Sequence, residues 1–198
     1  MAAEGLGRWE PLQLGEVIHL FEDFTAPWWI CGGHALELAV GRSWRTHDDM
    51  DVGVLREDAS RLVGLFEDWD VEIAAAGVLS PWNGSVLRAE ENQNNVWCRR
   101  AASQPWCLDI TIADGSREYW VFRRDPNVKV SWEQAVLRTR DGVPYLAPEL
   151  QLLYKSKKVR PKDDLDAREV IPSLAPDQRD RLHLLLAAGH PWQALVAV

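Results

Sequence analysis

Apolar residues recur at helical spacing in the first part of the chain and then fall into short runs. The apolar positions of 14–24 lie on one face of an amphipathic helix, and Pro27 ends that pattern. Residues 28–31 read WWIC, a run typical of a short buried strand. A glycine pair interrupts the run, and the spacing of 34–40 predicts a second helix that ends at Gly41. The chain is therefore expected to begin as helix, strand, helix.

The middle of the chain carries mostly strand-like runs. In chain order we predict a strand at 50–55, a helix at 58–69 and strands at 71–76, 96–99, 106–113 and 118–123. Residues 77–95 are rich in Gly, Asn, Ser and Pro, which predicts an extended loop region. Ser131 and Gln134 have the spacing of a capping box, so a helix is expected to begin at Ser131.

The pattern becomes helical beyond a turn at 141–144. The predicted helices lie at 148–158, 162–171 and 176–188. We therefore predict an α/β (α+β) fold, in which a mixed β-sheet flanked by helices is followed by a small C-terminal helical part. The two expected regions are 1–142 and 143–198, with a soft boundary that allows a shared core.

Composition agrees with a folded domain and restricts the partners. Hydrophobic residues make up 46% of the 198 positions and charged residues 26%, which argues against disorder. The net charge is −8, from 22 basic and 30 acidic side chains. Proteins that bind long nucleic acids usually present basic surfaces, so such a partner is not expected. A single nucleotide needs only a local patch and a metal ion.

The cysteines and the terminal segment bear on localisation. Cys31, Cys98 and Cys107 are an odd number without CxxC spacing, which argues against a disulfide framework or a zinc knuckle. Residues 1–25 carry several charged side chains, and no uncharged apolar run is long enough to cross a bilayer. We expect a cytoplasmic protein with reduced thiols, no signal segment and no membrane span.

Three aspartates are candidate metal ligands. Asp49 and Asp51 are two positions apart at the predicted strand 50–55, so their side chains are expected to share one face. Like charges held side by side are costly unless a cation lies between them, and oxygen ligands suit Mg²⁺. Asp109 interrupts the apolar strand 106–113, where an unpaired carboxylate is expensive. A third carboxylate would complete a two-metal arrangement, so Asp109 is a candidate ligand or base.

A glycine pair and several basic residues precede these carboxylates. Gly32 and Gly33, between a strand and a helix, let the backbone approach a phosphate, which the helix N–H groups and dipole then favour. Arg42, Arg45 and His47 lie just before the carboxylates and could neutralise phosphate charge. The arginines fit equally a solvated helix end, where cations complement the dipole.

The order of glycine pair, helix and carboxylate-x-carboxylate strand resembles the nucleotidyltransferase superfamily related to DNA polymerase beta. The stretch 32–51 is most similar to the branch of small lincosamide and aminoglycoside nucleotidyltransferases. The resemblance extends more loosely to 145–149, 154–157 and 160–166, and thus touches 28–172. It implies transfer of a nucleoside monophosphate, AMP from ATP in our interpretation, to a hydroxyl group with release of pyrophosphate.

The resemblance also implies roles for individual residues. Asp49 and Asp51 would bind Mg²⁺, and Asp109 would be the third ligand or the base for the acceptor hydroxyl. Lys155 or Lys157, on the later helix, would contact the triphosphate. Both lysines also occupy the last turn of a predicted helix, where lysines are favoured for structural reasons.

One residue departs from the family pattern. Many members have serine after the glycine pair, whose hydroxyl helps to hold a phosphate, and here the residue is His34. We keep His34 among the predicted nucleotide-binding residues, with Gly32 and Gly33. Region 1–142 would be the catalytic domain, and 143–198 would contribute to the nucleotide and acceptor cleft.

The acceptor pocket is expected in 77–95 and the helical tail, where no pattern is diagnostic. The candidates for substrate binding, chosen by residue type alone, are Trp82, Glu90 and Trp97. Glu90 and Glu91 are alternative candidates for the base. Asp163 and Asp166 fit the first turn of a helix better than a second metal site.

The leading interpretation is a Mg²⁺-dependent nucleotidyltransferase that acts on a small, hydroxylated, antibiotic-like acceptor. One alternative is a toxin-type member of the superfamily that modifies tRNA or a protein hydroxyl, which the acidic balance disfavours. Another is a nucleotide-binding module without turnover, against which the three aspartates argue. The pattern leaves open the acceptor, the choice of triphosphate and the oligomeric state.

Overall fold

Ten strands and seven helices make up the part of the chain that the computed structural model describes, residues 6–197. The strands are β1 (Trp28–Ile30), β2 (Asp51–Leu55), β3 (Asp70–Ala75), β4 (Val78–Pro81), β5 (Asn95–Arg99), β6 (Leu108–Gly115), β7 (Tyr119–Val121), β8 (Lys129–Ser131), β9 (Val136–Arg138) and β10 (Pro144–Leu146). The helices are α1 (Leu14–Leu20), α2 (Gly32–Val40), α3 (Trp132–Ala135), α4 (Pro148–Ser156), α5 (Pro161–Val170), α6 (Pro176–Leu185) and α7 (Gln193–Val196). Two 3₁₀ segments lie at Arg56–Leu65 and Ile171–Ser173.

The strands form one mixed sheet in the order β4-β3-β5-β6-β2-β1-β10-β9, and β7 and β8 continue from the end of β6. The pairs β2–β6 and β1–β10 are parallel. Strand β10 lies beyond residue 142, and its Tyr145 is the register partner of Ile30 in β1. The predicted mixed sheet flanked by helices is confirmed, and the region 143–198 contributes a strand to it as well as helices.

Two apolar layers cover the two faces of the sheet. On one face, Val52 and Ile110 pack with α1 and the first 3₁₀ segment. On the other face, Trp29 and Leu55 pack with residues of α2, α4, α5 and α6. Because side chains alternate along a strand, the residues next to Val52 and Ile110 point toward the second face. Asp51 in β2 is one of them, so its side chain lies on the same face of the sheet as Leu55.

The segment 77–95, predicted as a loop, begins with strand β4. Ala76 and Gly77 have φ of 51° and 80°, the positive values that a two-residue hairpin turn requires, and they join β3 to β4 with Ala75 opposite Val78. The prediction was wrong here because Ala76 carries none of the usual turn signals.

Two predicted helices also differ from the structure. The helix expected at 58–69 is the 3₁₀ segment Arg56–Leu65. The capping box of Ser131 and Gln134 does not form, because Ser131 is the last residue of β8 and makes no capping hydrogen bond to the four-residue helix α3. Strand pairing with β7 takes precedence over the local capping signal.

The expectations of reduced cysteines and of no membrane span can be compared with the structure. Cys31, Cys98 and Cys107 are free and buried, and Cys31 belongs to the apolar layer around Trp29. None of the helices within residues 6–197 is both long and apolar enough to cross a membrane.

A buried ion pair joins the helices α4 and α6, and its contribution to stability can be measured. Glu149 of α4 has a fully buried side chain and pairs with Arg181 of α6. We expect Arg181→Met to lower the free energy of unfolding by about 3 kcal/mol, because it leaves a buried carboxylate without its cation. Urea unfolding measures the change. The matched control is Arg8→Met, whose exposed pair with Glu10 should matter by less than about 0.5 kcal/mol. Equal losses in the two variants would contradict this role for the pair.

Candidate active site

Strands β2 and β6 bring two aspartates side by side. Asp51 is the first residue of β2, and the parallel register makes it the partner of Asp109 in β6. The neighbouring residues Val52 and Ile110 are fully buried in the layer on the opposite face. Since side chains alternate across a strand, both carboxylates lie on the same face of the sheet.

The third aspartate joins them from the segment before β2. Asp49 was predicted to lie on the strand with Asp51, but the strand begins only at Asp51. Burial, followed by the charges of Asp49 and Asp109, nevertheless raises the pKa of Asp51 well above its ordinary value. The three carboxylates therefore repel one another, and a divalent cation between them would remove that penalty.

Asp109 is held by two neutral donors from β5. The Nδ2 group of Asn95 donates to Oδ1 at 2.8 Å, and the indole N–H of Trp97 donates to Oδ2 at 3.1 Å. Burial and the charge of Asp49 raise the pKa of Asp109 to about 7, although both hydrogen bonds act in the opposite direction. Arg99, also on β5, pairs with Asp70. Asn95 was not among the predicted site residues.

Gly32 lies directly against the Asp51 carboxylate. Its φ is +66°, and a Cβ at this position would overlap Oδ2 of Asp51. The backbone N–H of Gly32 donates to Oε1 of Gln151 on α4 at 2.9 Å, and the N–H of Cys31 donates to the backbone oxygen of Asp51 at 2.9 Å. Glycine is required here for both conformation and space. Residues 31–33, at the junction of β1 and α2, are called the glycine loop below; Gln151, which holds it, was not predicted from the sequence.

Gly33, the next residue, lies against the side chains of His47 and Arg45. A Cβ at Gly33 would overlap the ring of His47 and crowd Nη2 of Arg45. His34 follows in the first turn of α2, and its ring centroid is 4.1 Å from that of His47. The start of α2, where the N–H groups of Gly33 and His34 have no partner within the helix, is thus bordered by Arg45 and two imidazoles.

Two predicted phosphate-binding cations are held by aspartates of α5. Arg45 donates twice to Asp166, at 2.8 and 2.9 Å, and Nζ of Lys155 lies 3.0 Å from Asp166 and 3.2 Å from Asp163. Although burial opposes it, hydrogen bonds from Arg160 lower the pKa of Asp163 to about 2. Asp163 also accepts the backbone N–H of Arg160, which agrees with its interpretation as a helix-start residue.

The other predicted site residues are not joined to the carboxylates by hydrogen bonds or ion pairs within residues 6–197. Arg42 pairs with Glu169 of α5, and Lys157 is exposed at the end of α4. Trp82 is buried, and its indole N–H donates to a backbone oxygen of its own turn. Glu90 is exposed in the segment between β4 and β5.

The raised pKa of Asp109 predicts a pH dependence of the metal-free protein. The folded state keeps the Asp109 proton up to pH about 7, whereas the unfolded chain loses it near pH 3.8. The free energy of unfolding should therefore fall between these pH values and level off above about 7, by about 2–4 kcal/mol. Urea unfolding in the presence of a chelator, at about pH 5 and about pH 8, measures the change. In Asp109→Asn this part of the pH dependence should disappear, and an unchanged slope would contradict the assignment.

The sequence of this site matches one known family. Residues 13–78 match the family described as aminoglycoside-2''-adenylyltransferase. This segment includes the glycine pair and both Asp49 and Asp51, whereas Asp109 lies outside it. No curated protein matches the chain in sequence.

Solved structures extend the likeness over most of the chain. The crystal structure of ANT(2")-Ia in complex with adenylyl-2"-tobramycin has a TM-score of 0.57 at 17% identity and covers 93% of this chain and 94% of that one. The lincomycin-bound lincosamide antibiotic adenylyltransferase LnuA has a TM-score of 0.56 at 17% identity, over 83% and 100% of the two chains. The solution structure of ANT(2'')-Ia has a TM-score of 0.54 at 17% identity, over 93% and 92%. At this identity, the three structures show that the chain shares their fold.

The family match spans α1 through β3, and the likeness to the solved structures extends over 83–93% of the chain. Together they confirm the resemblance to the nucleotidyltransferases of the aminoglycoside and lincosamide branch that was predicted from residues 32–51.

Proposed function

We propose that the protein transfers an adenylyl group from ATP to a hydroxyl group of a small, antibiotic-like acceptor and releases pyrophosphate. The observation that carries this proposal is the pairing of Asp51 with Asp109 in adjacent strands, with Gly32 against the Asp51 carboxylate. The match of residues 13–78 to an adenylyltransferase family supports the choice of ATP. The neighbours in complex with adenylyl-2"-tobramycin and with lincomycin support a small antibiotic as acceptor.

The carboxylates of the site fit Mg²⁺. Asp49, Asp51 and Asp109 offer oxygen ligands only, the type that Mg²⁺ prefers. The high pKa of Asp51 reflects burial and repulsion that a divalent cation would relieve, and the missing side chain of Gly32 leaves room beside its carboxylate. When bound there, Mg²⁺ would stabilise negative charge on the α-phosphate and lower the pKa of the acceptor oxygen.

Asp109 would take the proton of the acceptor hydroxyl. Asn95 and Trp97 fix the orientation of both carboxylate oxygens, as the geometry of a general base requires. Trp97 packs edge-to-face on Trp9, with ring centroids 5.0 Å apart, so the two indole rings form an apolar surface next to Asp109. An acceptor that packs on this surface would direct its hydroxyl toward Asp109.

The start of α2 would receive the phosphates. The N–H groups of Gly33 and His34 lie in the first helical turn and have no helical partner. Arg45 and Lys155 would add positive potential while their ion pairs with Asp166 hold them in position.

Transfer of labelled AMP tests the proposal. The protein is incubated with Mg²⁺, ATP labelled at the α-phosphate and a panel of lincosamides and aminoglycosides. We expect label on a small molecule together with pyrophosphate release, and loss of both in the Asp49→Asn/Asp51→Asn double variant. Asp48→Asn is the matched control, because that neighbouring carboxylate is exposed and pairs with Lys162.

Other results would point to other functions or sites. Pyrophosphate release that survives the double substitution would contradict the proposed site. Label in acid-insoluble material would instead favour a tRNA or protein acceptor, which the net charge of −8 disfavours. Tight ATP binding without turnover on any acceptor would favour a binding module.

A further inference from the structure

A second group of potential metal ligands lies behind the glycine loop. His34 and Glu37 of α2 and His47 of the following segment each offer one ligand atom, and these atoms lie within 4.8 Å of one another. Nε2 of His47 is 3.0 Å from Oε1 of Glu37, and the rings of the two histidines are 4.1 Å apart. The side chains of these three residues have no part in the transfer reaction proposed above.

The His47 ring carries a buried nitrogen without a hydrogen-bond partner. The side chains of His47 and Glu37 are 5% and 9% exposed. Nε2 is close to the Glu37 carboxylate, yet it makes no hydrogen bond of acceptable geometry to any described residue. An unsatisfied buried polar atom costs about 1–3 kcal/mol, so it needs a compensating partner such as a bound ion. The nitrogen and the carboxylate thus face each other without a hydrogen bond of good geometry, an arrangement that an ion bound by both would stabilise.

Glu37 is already oriented as a metal-binding carboxylate would be. Ser43 donates its hydroxyl to Oε2 at 2.7 Å, and the backbone N–H of Trp44 donates to Oε1 at 3.1 Å. Such outer contacts fix the direction of a ligating carboxylate in metal sites. Each oxygen accepts one of these bonds, so Oε1 keeps a lone pair on the side of His47.

We propose that His34, Glu37 and His47 bind one divalent transition-metal ion of the Zn²⁺ class, at a site separate from the three-aspartate Mg²⁺ site. Two imidazoles and a carboxylate are one of the ligand sets found in zinc sites with three protein ligands, whereas Mg²⁺ selects oxygen ligands. Bonds of about 2.1 Å in a tetrahedral arrangement place ligand atoms about 3.4 Å apart. The three ligand atoms lie within 4.8 Å of one another, so small side-chain movements would be needed to close the site around an ion.

The proposal gives a reason for histidine at position 34. With serine there, only Glu37 and His47 would remain, and two ligands make a weak site. His34 supplies the third ligand and closes the group on its more exposed side, where a water molecule completes the coordination. The site adjoins Gly33, whose missing side chain makes room for the His47 ring.

Binding of Zn²⁺ and Co²⁺ to the protein without nucleotide tests the inference. The full chain is stripped with a chelator, dialysed and titrated with each ion by calorimetry in the presence of millimolar Mg²⁺. Strong visible absorption of the Co²⁺ form reports a tetrahedral site, as opposed to six-coordinate ions held loosely by oxygen ligands. We expect one ion per chain, and a loss of affinity of more than about 100-fold in His34→Ser, because changes of outer contacts alone cost roughly 10–100-fold.

Three further measurements keep the result specific. His19→Ser removes an exposed histidine that pairs with Glu22, and it should leave the affinity unchanged. Asp49→Asn/Asp51→Asn should also keep the Zn²⁺ site, which separates it from the Mg²⁺ site. Zn²⁺ should raise the Tm of the parent protein and leave that of His34→Ser unchanged. Absence of Zn²⁺ binding, or equal binding by the parent and His34→Ser, would overturn the proposal whether or not the protein transfers nucleotides.

Discussion

The Asp51→Asn variant is expected to lose nucleotidyl transfer by at least about 10³-fold, a change of about 4 kcal/mol in the activation free energy. Asp51 is the one aspartate that touches both parts of the site, since it pairs with Asp109 across β2 and β6 and lies against Gly32. An amide in its place cannot neutralise a divalent cation. Burial and the charges of Asp49 and Asp109 raise the pKa of Asp51 because they make its negative charge costly. Asparagine carries no such charge, so the metal-free variant should unfold at a higher temperature than the parent.

Two measurements on one preparation distinguish this expectation from simple misfolding. Initial rates with ATP and a competent acceptor give the loss of activity, and thermal unfolding with a chelator gives the stability. A variant that loses activity and gains stability agrees with a charged metal site. Asp48→Asn should keep activity within about twofold and stability within about 0.5 kcal/mol, because its side chain is 82% exposed. Loss of both activity and stability in Asp51→Asn would contradict the expectation.

The Gly32→Ala variant is expected to lose most of its activity and to be less stable by at least about 2 kcal/mol. Positive φ alone costs a non-glycine residue about 1–2 kcal/mol. The added Cβ would also overlap Oδ2 of Asp51, so the carboxylate or the loop must move. Any such shift disturbs the ligand position, and it strains the hydrogen bond that Gly32 donates to Gln151.

Gly41→Ala provides a matched control for this change. Gly41 ends α2 with φ of +79°, and a Cβ there would have nothing within 4 Å. It should show only the conformational penalty, about 1–2 kcal/mol in urea unfolding, with rates close to those of the parent. If the two variants had equal activity, the close approach of Gly32 to Asp51 would have no functional meaning.

The chemistry of the site could be predicted from the sequence where the signal is local. Asp109 breaks an apolar run, and its charge there predicted a role that its position beside Asp51 supports. The glycine pair followed by spaced carboxylates indicated the superfamily, because those residues lie within 20 positions of one another. Hydrophobic alternation also predicted the central strands, since one of their faces is buried throughout.

Residues that act across long separations could not be predicted. Gln151 meets Gly32 from 119 positions away, and Asp166 meets Arg45 from 121 positions away. Nothing in the local pattern of α4 or α5 distinguishes these side chains from other polar residues of a helix. Asn95 was missed for a related reason: its contact with Asp109 depends on the register of β5 against β6, which periodicity alone does not determine.

The parallel pairing of β1 with β10 affects how the chain reaches its folded state during synthesis. Ile30 emerges from the ribosome long before its partner Tyr145, so β1 has an unpaired edge until translation has passed β10. Long-range parallel contacts of this kind slow folding, and an open strand edge invites pairing with other chains. The glycine loop that follows β1 is fixed later still, when Gln151 becomes available to its backbone. A nascent chain that stalls before β10 would therefore be a substrate for chaperones.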